Sequence, residues 1–286
     1  LVVDSQVNAD INPAGPYCIV DPAENLTAAM TGGTWSGTGI TNPSTGAFNP
    51  SVAGAGQHTI TYNILNGACS DSDDILITVD DNSDPTITPV GPFCITHGTV
   101  NLNAVTGGGS WTGNGITNGA IGSFNTNTAG VGNHTITYTI INGACVDIDQ
   151  ITIVVNEDVD ATITPAGPLC SSDPVINMVA ASSGGTWSGT GITNPSNGTF
   201  SPVVAGVGNH TVSYNVVNGA CSDSDQFVVQ VDEAVDATIT PEGPFCITDS
   251  PVIIQAAMTG GTWSGNGITN TSNGNFNPNT AGSGNH

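Results

Sequence analysis

Between His210 and Val217 apolar and polar residues alternate without a break: Val212, Tyr214 and Val216 share one parity, Thr211, Ser213 and Asn215 the other. A period of two predicts a β-strand buried on one face only. Asn218-Gly219 follows as a hairpin turn, because Asn-Gly readily adopts the positive φ such turns require. The next stretch, Gln226–Val231, places Phe227, Val229 and Val231 on one face. Earlier in the same unit Ile176, Met178 and Ala180 alternate, and Phe200 stands in a further short segment. No apolar stripe has the 3.6-residue period of a helix. About six or seven short strands, with turn signals every 8–12 residues, predict a small antiparallel β-sandwich of immunoglobulin type.

The pattern is periodic. "GGTWSGTGI" at Gly32–Ile40 returns as "GGSWTGNGI" at Gly108–Ile116, "GGTWSGTGI" at Gly184–Ile192 and "GGTWSGNGI" at Gly260–Ile268. Tyr62, Tyr138 and Tyr214 keep the same 76-residue spacing, as do His58, His134, His210 and His286. Such a unit is too long for a solenoid repeat and suits a domain with its own core. The expected division is residues 1–7 as the end of a preceding repeat, then 8–83, 84–159 and 160–235 as complete repeats. Residues 236–286 form a partial one. Both ends fall within a strand pattern, which predicts a section of a longer polypeptide with repeats on either side.

Each unit has one tryptophan: Trp35, Trp111, Trp187 and Trp263. On a mid-domain strand flanked by glycines it is expected to anchor the core. The alternative, an exposed platform for sugar rings, would ordinarily present several aromatics.

Composition narrows the functions. The chain has no Lys or Arg against 23 Asp plus Glu, a formal charge of −23. That excludes nucleic-acid binding, which needs cations to displace phosphate counterions, and attachment to anionic lipid. Lysine Schiff bases, phosphate-gripping loops and lysine-to-asparagine cross-links lack their reactive group. Proteases that cut after basic residues find no site. No apolar run approaches the length of a membrane-spanning helix.

Seven regularly spaced cysteines in such a chain predict disulfides and an oxidising, extracellular setting. Pairing within a repeat would join Cys18–Cys69, Cys94–Cys145 and Cys170–Cys221, leaving Cys246 for a partner beyond the sequence. Pairing across repeats would join Cys69–Cys94 and its equivalents. Loop entropy does not separate the two, at about 4 and about 3.5 kcal/mol. Expected geometry favours the first, because Cys69 and Cys94 should stand roughly 30 Å apart, against the ~7 Å Cα separation a disulfide tolerates.

The acids cluster in two recurring groups. One is a D-x-D after the second cysteine of each repeat: Asp71 and Asp73, Asp147 and Asp149, Asp223 and Asp225. The other is a run between repeats that includes Asp80, Asp84, Asp158, Asp160, Asp232 and Asp236. The D-x-D carboxylates share the parity of buried residues, with no cation to pair them. Three readings follow: a bulge turning them to water, acceptance of hydrogen bonds from loop N–H groups, or a bound cation. Ca²⁺ held by these carboxylates would stiffen the junctions; a solvated acidic hinge is the alternative.

His58, His134 and His210 head a strand with no recurring triad partner and are expected to be strand-edge residues. "GTG" and "GNG" are turn glycines, since no helix follows them. Five N-x-S/T sequons, at Asn25, Asn133, Asn197, Asn209 and Asn270, suit an Asn/Thr-rich chain.

The unit "TITPAGPLC…GGTWSGTGI…GTFSP…AGVGNHTVSYNVVNGAC" resembles the immunoglobulin-like or PKD-like repeats of giant surface adhesins in gliding Bacteroidota. The resemblance implies export through the type IX system, display as filaments, and a role in surface attachment or gliding. The expected function is therefore a stalk segment spacing an adhesive end from the cell surface, in contact with neighbouring repeats of its own chain, with other copies in a filament and, through regions outside this sequence, with extracellular surfaces or glycans. Two further readings are weak glycan-binding modules acting by avidity, and a laterally assembling or strand-donating subunit. No nucleophile, base and orienting group recur together, so an enzyme is not expected.

Overall fold

A computed structural model describes residues 3–286. The chain is an all-β tandem array of small immunoglobulin-like sandwiches recurring every 76 residues. By contacts it divides into two compact units: Leu1–Val159 with Val217–Ser222, and Asp160–Val216 with Asp223–His286. The expected strand at the start of the chain falls partly on Leu1 and Val2, outside the described residues; residues 3–7 carry no strand.

The second repeat shows the plan. Its larger sheet has four strands in the order Ser110–Thr112, Gly132–Asn142, Cys145–Asn156, Phe93–Cys94. The middle two form a long antiparallel hairpin in register from Gly132↔Val155 to Asn142↔Cys145. Phe93–Cys94 joins the far end of this hairpin in parallel, Phe93 opposite Val155 and Cys94 opposite Asn156. The smaller sheet is Ile116–Asn118, Ser123–Asn125, Thr99–Asn101, all antiparallel. The sandwich is thus mixed, with one short parallel pairing. The first and third repeats have the same strand order.

The core lies between the sheets. Ile136, Tyr138 and Ile140 from one hairpin strand and Ile153 and Val155 from the other meet Trp111, Phe124, Leu102 and Ile87. Alternation decides which side chains go in: Val212, Tyr214 and Val216 are buried in the third repeat, whereas Thr211 and Asn215 are exposed. Trp35, Trp111 and Trp187 are buried. Each stands opposite the hairpin tyrosine, with ring centroids 4.5 Å apart. In the partial fourth repeat, which has no such hairpin, Trp263 is half-buried.

Two local features differ from expectation. The hairpin turn is Gly219-Ala220 rather than Asn218-Gly219, since Asn218 still belongs to the strand Gly208–Asn218. Glycine takes the first turn position at φ +58 and alanine the second, the arrangement of a type II′ turn. Each repeat also has a four-residue helical turn that the apolar pattern does not signal, such as Thr126–Ala129, and the second repeat adds a 3-10 turn at Ile95–His97. An Asn or Ser caps the start of each four-residue turn and a Gly its end.

Candidate functional site

The most elaborate chemistry gathers where one repeat hands over to the next. The strand Cys145–Asn156 begins at the tip of its hairpin and ends beside Cys94. It is 12 residues long, so Cys94 and Cys145 occupy opposite ends about 36 Å apart. No disulfide can cross that distance.

The bonds formed are Cys18–Cys145 and Cys94–Cys221, with Cα separations of 4.8 and 4.9 Å and a sequence separation of 127 residues each. This corrects both expected pairings. Cys18 is not bonded to Cys69, Cys94 is not bonded to Cys145 or Cys69, and Cys221 is not bonded to Cys170. The first cysteine of each repeat lies at the exit end of its sandwich, because its strand pairs in parallel with the end of the last strand. The second lies at the entry end. Exit and entry meet at a junction, so the bond joins the first cysteine of one repeat to the second cysteine of the next. Cys69, Cys170 and Cys246 carry free thiols, Cys69 half-buried and the other two exposed.

Hydrogen bonds surround each bridge. Asp80 ends one repeat and its Oδ2 accepts from Ala144 N, 2.7 Å away, in the hairpin turn of the next. Asn142 Nδ2 donates back to Asp81 O at 2.8 Å. At the following junction Asn156 Oδ1 accepts from Ala220 N and Asn218 Nδ2 donates to Glu157 O. Ahead of the first repeat Asp4 Oδ2 accepts from Ala68 N at 2.7 Å. The turn glycine permits this approach: a Cβ on Gly143 would run into the Asp80 carboxylate.

The D-x-D pairs lie next along the hairpin and accept hydrogen bonds from the incoming chain, the second of the three readings. Asp71 and Asp73 take the N–H groups of Ala9 and Ile11, each at 2.8 Å. Asp223 and Asp225 take those of Ala161 and Ile163, at 2.8 and 2.9 Å. In the second repeat Asp149 takes Ile87 N. The position matching Ala9 and Ala161 is Pro85, which has no N–H, so Asp147 accepts from Ser83 N instead. Charged acceptors on backbone donors are the stronger class of hydrogen bond and need no cation.

The acids between repeats serve local turns. Asp84, Asp160 and Asp236 each accept from the backbone N–H two residues on, at Thr86, Thr162 and Thr238. The threonine hydroxyl and that N–H hold all three carboxyls below the usual carboxylate range. Asp232 accepts from Gln230 Nε2. Among the described residues, the sole group of three or more His, Cys, Asp or Glu with ligand atoms within 4.8 Å is Cys94, Asp158 and Cys221. Its two sulfurs are bonded to each other and offer no thiolate. Among the described residues, the acidic runs do not form such a group.

The recurring histidines brace the strand start. Nε2 of His58, His134 and His210 donates to the carbonyl of Gly54, Gly130 and Gly206, each at 2.8 Å. Tyr138 shows what its hydroxyl does in every complete repeat: it donates to Thr106 O and accepts from Gly109 N. Tyr17 is pushed up to about 12 by burial and by a hydrogen bond to Glu24.

No protein-family model and no curated protein matches the chain. Solved structures with similarity include an I-band fragment from titin, 12% identical over 82% of this chain and 100% of that one, at TM-score 0.42. Extracellular domains 3–5 of Drosophila OTK are 12% identical over 81% of this chain and 97% of that one, at 0.34. Mouse protocadherin-24 EC1–3 is 11% identical over 76% and 96%, at 0.28. Values this low carry no argument about function, and the fold stands on the sheets themselves. Among the described residues no helix is long and apolar enough to cross a membrane, which says nothing of a β-barrel.

Proposed function

We propose that the chain is a stalk segment of an extracellular adhesin, a spacer whose repeats hold a binding end away from a surface. The observation that carries this reading is the junction: disulfide, carboxylate or amide cap, and amide return recur at equivalent positions. A linker built as a hinge has no use for a covalent bond across it. Disulfides also favour an oxidising compartment outside the cytosol. The finer reading, a gliding-type adhesin of Bacteroidota exported by the type IX system, rests on the sequence motifs of the repeat.

The glycan-module reading loses its platform, since the tryptophans of the three complete repeats are buried under tyrosine. Presenting the chain to a glycan array separates the two. A stalk gives no retention, and its end-to-end distance grows by a constant increment with each repeat added. Saturable retention that survives reduction of the disulfides would overturn the spacer in favour of a binder.

A further inference from the structure

The two disulfide loops overlap. Cys18–Cys145 encloses Cys94, and Cys94–Cys221 encloses Cys145. We infer that the array is doubly continuous: any single break of the backbone between Cys18 and Cys221 leaves the chain in one covalent piece. A break between Cys18 and Cys94 is spanned by the first bridge and one between Cys145 and Cys221 by the second. A break between Cys94 and Cys145 is spanned by both.

The linkers matter most. Glu157 and Asp158 are exposed, as extracellular proteases would require. A stalk with bridges inside each repeat would part at the first cut there. Here Cys94–Cys221 steps over the linker, and tension passes through sulfur from the exit end of one sandwich to the entry end of the next. The covalent path through the second repeat then runs between Cys94 and Cys145. The strand Cys145–Asn156 and the linker after it lie outside that path and can be nicked without loss of continuity. Absence of Lys and Arg removes one class of cut; the overlapping loops make the remaining single cuts between Cys18 and Cys221 harmless to connection. As a property of a load-bearing tether this rests on the stalk reading, but the connectivity does not.

The chain carries its own test. Its four glutamates are Glu24, Glu157, Glu233 and Glu242. Free thiols are alkylated, and the chain is digested in urea with a glutamate-specific endoprotease without reductant. The expected product is one species comprising residues 1–233, which falls on reduction into 1–24, 25–157 and 158–233. Release of 158–233 without reductant overturns the inference, as any pairing confined within repeats demands. A variant with Glu24→Gln, Glu233→Gln and Glu242→Gln is then cut only after Glu157 and held by its two ends in a force instrument. It should bear load until dithiothreitol is added. If the digest gives the single species but an intact chain binds glycans, the stalk reading fails while the double continuity stands.

Discussion

Asp80 closes the last strand of one repeat and caps the hairpin turn of the next, its Oδ2 2.7 Å from Ala144 N. One side chain thus belongs to two sandwiches. At the following junction Asn156 performs the same service with a neutral oxygen. Asp80→Asn should therefore be nearly silent in thermal melts. Asp80→Ala should cost about 1–2 kcal/mol, by leaving the turn amide without its partner.

Removing one bonded cysteine and one free cysteine should have unequal effects. Cys145→Ser opens a loop spanning 127 residues, for which chain entropy alone gives up to about 5 kcal/mol. Cys69→Ser removes a free thiol and should leave the melting temperature within a degree of the parent. Equal losses from both would contradict the observed connectivity.

The D-x-D carboxylates are committed to backbone N–H groups. Asp225→Ala should destabilise the third repeat by roughly 1–3 kcal/mol, because Ile163 N loses a charged acceptor. Addition of a chelator should leave the melting curve unchanged. A fall of several degrees with EDTA, restored by Ca²⁺, would show that these acids hold a cation as well.

Tyr138→Phe keeps the ring against Trp111 but deletes a hydroxyl that serves both Gly109 N and Thr106 O. The expected loss is about 1–3 kcal/mol, read by denaturant titration, with tryptophan fluorescence of the folded state little changed.

Acid and alkali should act at different places. Asp84, Asp160 and Asp236 titrate below their ordinary 3.8 when folded, so their contribution is present above that value and is lost as pH falls through the folded values. All three are fully exposed, and the effect on melting should be small. Tyr17 is raised from 10.0 to about 12, so its contribution is complete below pH 10 and is lost as pH climbs toward 12. Carboxyl chemical shifts below pH 4 and tyrosinate absorbance above pH 10 check the two ends.

Much of the sandwich was legible because alternation is a local signal. Val212, Tyr214 and Val216 announce their burial within five residues, and the tryptophan motif announces the period. The turn was misplaced by one residue because Asn218 looks like turn chemistry, yet its amide is spent on Glu157 O across the junction. The helical turns were hidden by their length: four residues make no periodicity, although a cap, a Pro or Thr and a closing Gly mark them. The disulfides were illegible for a different reason. Their pairing depends on Phe93–Cys94 lying parallel to the end, not the start, of Cys145–Asn156. Nothing in a two-residue strand states that choice. Parity and the absence of cations single out the D-x-D residues in the sequence, and hydrogen bonds from loop N–H groups are one of the three arrangements that pattern allows.

The order of bond partners along the chain sets a timetable for maturation. As the polypeptide emerges, Cys18 meets Cys69 and Cys94 well before Cys145 exists. Premature oxidation would trap it with either one. Once the strand Cys69–Asp80 has paired with its neighbours, Cys18 is held at the opposite end from Cys69 and waits. Its bridge closes after the next hairpin has folded, so covalent sealing trails the growing front by one whole sandwich. Folding ahead of oxidation therefore favours the observed pairing, and a bond closed too early needs thiol–disulfide exchange to reach it.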